Sequence, residues 1–214
     1  MRLIDKHRPT TYQNIVGNEK TISRIYRAVD DNDGFGGLVI MLVGKTGNGK
    51  TLLADIIARD IEGDLYRPDC TKDAETAVMI DQARRDITQN SMFGNHAIYI
   101  FDEADKLHPD NIAKLKTMID LIDRRRQDNL PCNVTVIFTS AKTKSQLTGV
   151  QQGHWDELCT RCITCKMDIL QPELDSYFAR LTKGEVQDIS NRITVRSMRA
   201  AWEYIEEHEI DVVE

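Results

Sequence analysis

Eight consecutive residues, Gly44-Lys45-Thr46-Gly47-Asn48-Gly49-Lys50-Thr51, constrain this chain more than any other feature. They satisfy the pattern G-x-x-x-x-G-K-[ST] and lie between a wholly apolar run, Leu38-Val39-Ile40-Met41-Leu42-Val43, and a helical stretch from Lys50 to Asp60. A strand, a glycine-rich turn and a helix start in that order make an anion cradle. The glycines let backbone N–H groups turn inward, and the helix N-terminus adds partial positive charge. ATP is the expected ligand, with Lys50 on its β- and γ-phosphates and the Thr51 hydroxyl on Mg2+. Gly44, Gly47, Asn48, Gly49 and Leu52 complete the expected nucleotide contacts around them.

Two further apolar runs read as buried strands: Ala97-Ile98-Tyr99-Ile100-Phe101, and Asn133-Val134-Thr135-Val136-Ile137-Phe138. Helical stretches run from Glu75 to Thr88 and from Asn111 to Arg126. This alternation predicts an α/β fold, a P-loop core whose parallel sheet is flanked by helices. In such sheets ligands sit at the carboxyl ends of the strands, so the residues just after each run carry the chemistry. Asp102 and Glu103 follow the second run. Asp102 is expected to hold Mg2+ with Thr51, and Glu103 to act as the base that orients the attacking water. After about Met167, Leu174, Tyr177, Phe178 and Leu181, then Met198, Ala201, Trp202 and Ile205, recur at helical spacing. The expected division is a nucleotide-binding core over 1–167 and a small helical lid over 168–214.

The chain has 214 residues, enough for one such domain and an appendage. Its net charge of −6 excludes a polycation that coats nucleic acid indiscriminately, so any DNA contact must be local. No apolar run approaches the roughly 20 residues that span a bilayer, and Met1-Arg2-Leu3-Ile4-Asp5-Lys6 lacks the apolar core of a secretory signal. A cytoplasmic protein without membrane contact is expected. Its five cysteines are then expected as reduced thiols. Cys159, Cys162 and Cys165 form C-x-x-C-x-x-C, with His154 upstream, but on an extended segment they would alternate faces, so no metal site is expected there.

Beyond the phosphate loop and Asp102-Glu103-Ala104-Asp105, several separated motifs resemble those of the AAA+ sliding-clamp loaders, especially replication factor C small subunits and their phage counterparts. Lys6-His7-Arg8-Pro9-Thr10-Thr11-Tyr12-Gln13-Asn14-Ile15-Val16-Gly17-Asn18 is similar to the stretch that wraps the adenine in that family. The resemblance implies a base pocket lined by Arg8, Ile15, Val16 and Gly17, although burial alone would also account for Ile15 and Val16. Leu158-Cys159-Thr160-Arg161-Cys162 resembles the family's S-R-C motif, with Thr for Ser. Arg161 would then be an arginine that reaches the neighbouring subunit's γ-phosphate, where a permanent, planar charge suits phosphoryl transfer. A structural salt bridge is the alternative. Arg196-Ser197-Met198-Arg199-Ala200-Ala201 is similar to the start of a lid helix in the family, which makes Arg199 the γ-phosphate sensor.

By the same resemblance, basic residues on inner helices would track primed or partly single-stranded DNA, and Arg84, Arg85, Lys114 and Lys116 are the candidates. Arg124-Arg125-Arg126 is the densest basic cluster, although cations also suit a helix C-terminus. The implied protein self-associates into a ring or spiral and hydrolyses ATP between subunits. Through this it loads or remodels a partner, such as a sliding clamp, in DNA replication. Two departures stand out. Where the family carries a water-positioning asparagine this chain has Phe138-Thr139-Ser140-Ala141, with Ala141 nearest that place and Thr139 or Ser140 as hydroxyl substitutes. The family also continues into a helical collar, which the sequence to Glu214 is expected to lack. A helicase-loader or initiator-like protein, or a nucleotide-dependent scaffold with little hydrolysis, are the alternatives.

Overall fold

The computed structural model describes residues 2–31, 37–89, 96–142 and 150–213. Its sheet has five parallel strands: β1 (Leu38–Val43), β2 (Asp64–Tyr66), β3 (Ala97–Phe101), β4 (Val134–Ser140) and β5 (Ile163–Lys166), in the order β2-β3-β4-β1-β5. The three strands expected from apolar runs are the three inner ones, and β4 runs two residues further than expected, through Ser140. Every residue of β1, β3 and β4 is buried, which is why these strands read as continuous apolar runs. The two edge strands, β2 and β5, were not expected. They are short and mostly exposed or half-buried.

The helices are α1 (Leu3–Lys6), α2 (Glu19–Asp30), α3 (Lys50–Ile61), α4 (Asp73–Thr88), α5 (Pro109–Gln127), α6 (Val150–Thr160), α7 (Gln171–Leu181), α8 (Ile189–Arg192) and α9 (Met198–Glu207). Successive strand residues face opposite sides of the sheet, so two cores form. On one side Met41, Tyr99, Phe101 and Phe138 pack with Ile80 of α4, Leu115 of α5 and Trp155 of α6. On the other, Ile40, Ile98, Ile100 and Ile137 pack with Leu53 of α3 and Ile25 of α2.

A third cluster gathers Leu174 and Phe178 of α7, Ile189 of α8, and Ala201, Trp202 and Ile205 of α9. The Phe178 and Trp202 rings meet at 71° with centroids 5.0 Å apart, an edge-on pairing worth about 1 kcal/mol beyond its area. Leu3 and Ile4 of α1 pack against this C-terminal cluster, and His7 stacks on Trp202 with ring centroids 5.0 Å apart. Tyr12, a few residues on, is buried in the α3 side of the core and its hydroxyl donates to Asp60 at 3.3 Å. The segment between them therefore runs from the helical cluster to the core.

Candidate active site

In this sheet order β4 lies between β1 and β3, and the register aligns their carboxyl ends: Phe101 pairs with Phe138, and Val43 with Ser140. The residues that follow these strands meet at one edge of the sheet. Thr51, in the first turn of α3, donates its hydroxyl to Asp102, with its Oγ1 3.0 Å from Oδ1 and 3.2 Å from Oδ2. Thr139 also donates to Asp102, while its Oγ1 accepts the Glu103 N–H at 3.0 Å. Of the two candidate hydroxyls, Thr139 is therefore the one at the acidic pair. Ser140 instead donates to the Lys142 carbonyl at 2.8 Å, and the Ala141 N–H donates to Asp105 at 3.1 Å.

The Lys50 side chain folds back over the loop, and its ammonium donates to the carbonyls of Gly44 at 2.8 Å and Lys45 at 2.9 Å. Burial lowers its pKa below the ordinary value, opposed by the nearby charges of Asp102, Asp105 and Glu103. Among the described residues the backbone N–H groups of Thr46, Gly47 and Gly49 have no protein acceptor, and the first N–H groups of a helix lack intrahelical partners. An ammonium and several unpaired N–H donors around one loop suit a polyphosphate anion. Beside them the Asp102 carboxylate and Thr51 hydroxyl offer the hard oxygen donors that suit Mg2+. Asn48 is buried, with its amide Nδ2 3.5 Å from the Met167 carbonyl, so it serves loop shape at least as much as ligand contact. Leu52 lies half-buried against the core beneath the loop.

The loop is also closely packed. A Cβ at Gly44 would collide with the Met167 carbonyl, and Gly47, at φ +85°, would bring a Cβ 2.9 Å from Ser197 Oγ and 3.2 Å from the Arg199 Cβ. Ser197 caps α9 by accepting the Ala200 N–H at 3.2 Å, so the start of α9, carrying Arg199, lies directly against the phosphate loop. Glu103 adopts a left-handed conformation, φ 54°, and its carboxylate is paired with Lys106 at the surface.

Arg8, Ile15, Val16 and Gly17 line one cleft of about 640 Å³. Its other wall comes from α7, where Glu173, Tyr177 and Arg180 were not anticipated as site residues. Helical spacing had marked Tyr177 only as a packing residue. Arg8 itself donates to Asp55 of α3 at 2.9 Å.

Arg161 is placed elsewhere. β5 pairs in parallel with β1, Ile163 against Ile40 and Lys166 against Val43, so Arg161 precedes β5 at the sheet edge opposite Gly44. At strand rise that separation is on the order of 15–20 Å. Within its own chain the Arg161 Nε donates to Asp120 at 2.8 Å, and Nη1 donates to the Glu157 carbonyl at 2.7 Å.

The candidate DNA residues are likewise spread. Arg84 is half-buried on α4, and Arg85 is exposed there and donates to Gln82 at 2.7 Å. Lys114 is exposed on α5, but the Lys116 ammonium is bonded to Glu157 and stands 3.1 Å from His154 Nδ1. In the α5 cluster, Arg125 donates to the Pro131 carbonyl at 3.1 Å and Arg126 to that of Gly37, so two of its three arginines tie down chain beside the sheet.

The three cysteines do not share the extended segment expected of them. Cys159 lies in the last turn of α6, Cys162 follows in a bend, and only Cys165 lies on a strand. Cys159 and Cys162 pack against one core and Cys165 sits in the other, across the sheet. Burial pushes the thiols of Cys162 and Cys165 up.

Among known proteins, the profile of the ATPase family associated with various cellular activities (AAA) matches residues 40–182. The replication factor C small subunit of Natronomonas pharaonis is 32% identical over 136 residues, covering 61% of this chain and 41% of that protein. The replication factor C large subunit of Methanosarcina acetivorans is 33% identical over 113 residues, 49% of this chain and 18% of that protein. The chain thus spans about two fifths of the small subunit and less of the large one. Among solved structures, the Thermotoga maritima RuvB Holliday junction branch migration motor superposes with a TM-score of 0.63 at 16% identity, covering 97% of this chain and 69% of that one. That likeness establishes the shared fold.

Proposed function

This chain belongs to the AAA family of P-loop ATPases and is homologous to replication factor C subunits, and from that premise we propose that it is a clamp-loader-type Mg-ATPase acting in DNA replication. It hydrolyses ATP between subunits to load or remodel a partner protein, such as a sliding clamp, on DNA. The observation that carries this reading is the separation of the two halves of the chemistry. The phosphate loop, Thr51 and Asp102 converge at one edge of the sheet, and Arg161 stands at the other. A single copy therefore cannot complete its own site, whereas a second copy can.

In this reading the loop N–H groups and Lys50 bind the β- and γ-phosphates, and Lys50 leaves the carbonyls of Gly44 and Lys45 to do so. Mg2+, held by Thr51 and Asp102, supplies Lewis-acid neutralisation of charge on the phosphate oxygens. Thr139 keeps the Asp102 carboxylate aimed at Thr51 and fixes the Glu103 backbone. Glu103 orients the attacking water once its carboxylate leaves Lys106. Arg199, carried by the helix against Gly47, reads the γ-phosphate and couples it to the angle of the C-terminal helices, a lid over 168–214 joined to the core over 1–167. The cleft of Arg8, Ile15, Val16 and Gly17 takes the base. Arg84, Arg85 and Lys116 contribute to a DNA-facing surface when copies align, with Lys116 first having to give up Glu157.

Steady-state ATP turnover per copy, measured against protein concentration, tests the shared site. Turnover rises with concentration if Arg161 acts on a neighbour, and a flat dependence that persists in Arg161→Ala contradicts it. Stimulation by primed DNA and a sliding clamp supports the clamp-loader reading, and stimulation by a helicase alone points instead to a helicase loader. The pairing of Glu103 with Lys106, together with the absence of a polar side chain at Ala141, favours a second reading, a nucleotide-dependent scaffold with little hydrolysis. Tight ATP binding without turnover in the presence of DNA and clamp would establish it.

A further inference from the structure

Arg161 does not hang loose at its edge of the sheet. It belongs to an ionic ladder between α5 and α6 whose rungs are one helical turn apart on both helices. Lys116 of α5 pairs with Glu157 of α6, and four residues on, Asp120 of α5 pairs with Arg161 just beyond the end of α6. The guanidinium is held on two sides: Nε donates to Asp120, and Nη1 donates to the Glu157 carbonyl. Among the described residues Nη2 has no partner, so one corner of the guanidinium fork remains for an outside acceptor.

The stability of the α5–α6 contact does not need this pair. Leu115 and Ile119 of α5 and Trp155 and Leu158 of α6 are already buried in one core cluster, while the Asp120 and Arg161 side chains are 45% and 31% exposed. Ion pairs that exposed contribute little to stability. What the pair does fix is direction, because a long side chain with several rotatable bonds is held by two charge-assisted or carbonyl bonds that leave its third nitrogen unbonded among the described residues.

We propose that Asp120 is a positioning residue for Arg161, holding the guanidinium so that Nη2 is presented to the γ-phosphate bound by a neighbouring copy of this chain. This rests on the reading of Arg161 as a residue acting in trans. Preorganisation of this kind changes the rate without changing how tightly ATP binds, since Asp120 lies far from the phosphate loop of its own chain.

The test uses the full chain at a concentration where assembly with ATP is complete. Asp120→Ala and Asp120→Asn are each measured for turnover at saturating ATP and for ATP affinity, and Asp120→Ala is repeated in an Arg161→Ala background. The expected result is a turnover about tenfold or more lower for Asp120→Ala at unchanged ATP affinity, because small misplacements of a reacting group carry such costs. Asp120→Asn, which keeps an acceptor for Nε, retains more turnover, and Asp120→Ala has no further effect once Arg161 is Ala. Turnover of Asp120→Ala equal to or above the parent, while Arg161→Ala is inactive, overturns the positioning role and leaves the trans role of Arg161 standing. An equal loss in both backgrounds overturns it also, since Asp120 would then act through something other than Arg161. If Arg161→Ala turns over like the parent, the trans reading itself fails and the proposal falls with it.

Discussion

The two edges of the sheet are built on opposite terms. At the carboxyl edge Thr51, Asp102 and Thr139 are drawn into one hydrogen-bonded group beside Lys50, which bonds the loop carbonyls; Lys50 and Thr139 are buried, and the loop is packed against both Met167 and the start of α9. At the amino edge Arg161, Asp120, Lys116 and Glu157 lie nearer the surface and pair across two helices. The first edge gathers the groups that the proposed function assigns to the nucleotide. The second contributes nothing to its own chain's nucleotide and has a guanidinium corner left over. On the proposed function, a molecule so divided would bind ATP as a single copy and turn it over only as an assembly.

Mutations at the two edges should therefore separate binding from turnover. The largest effect is expected from Arg161→Ala, which should lower turnover of the assembled protein by about 1,000-fold while leaving ATP affinity of the isolated chain within about twofold. Rapid-quench measurement of phosphate release together with a fluorescent-nucleotide titration checks both halves. Lys50→Ala should instead weaken ATP binding itself by roughly 100-fold, because charge-assisted bonds to phosphate are lost. Calorimetric titration reads this directly, and an affinity equal to the parent's would remove Lys50 from the phosphate site. Thr139→Val takes away the hydroxyl that joins Asp102 to the Glu103 backbone. It should reduce turnover about tenfold and cost about 1–3 kcal/mol of stability in a urea titration, since buried groups lose their partner.

The smallest effect is one of pH. Burial lowers the Lys50 pKa in the nucleotide-free chain. The unfolded chain then binds the proton more readily than the folded one, so this residue's contribution to stability rises with pH across the window from its lowered value up to the ordinary 10.5. Urea midpoints measured from pH 8 towards 10.5 should show that rise relative to Lys50→Met, in which it is absent. A difference between the two proteins that stays constant with pH would mean that Lys50 keeps its ordinary pKa.

The same contrast explains what the sequence made legible. β1, β3 and β4 are buried on both faces, so composition alone marks them, and the loop between β1 and α3 is a contiguous motif. The edge strands escaped because Asp64-Leu65-Tyr66 is three residues long with its first two exposed, and Ile163-Thr164-Cys165-Lys166 buries only Cys165. The pairing of Thr139 with Asp102 follows from strand register, Phe101 against Phe138, which residue spacing along the chain does not encode. The packing of Leu3 and Ile4 on the C-terminal helices and the pairing of Arg161 with Asp120 join segments far apart in sequence, and no local pattern announces such contacts. Arg161 was found by resemblance, and its surroundings only by the fold.

A mixing experiment tests the shared site most directly. At an ATP concentration too low for the weakened Lys50→Ala site to fill, Lys50→Ala copies should keep Arg161 but hold no ATP, and Arg161→Ala copies should hold ATP but lack the guanidinium, so each alone should be inactive. Mixed in equal amounts, they should regain turnover, because a nucleotide held by one copy meets Arg161 of another. A mixture as inactive as either variant alone, or an Arg161→Ala protein that hydrolyses ATP at the parent rate, would contradict a site divided between two copies.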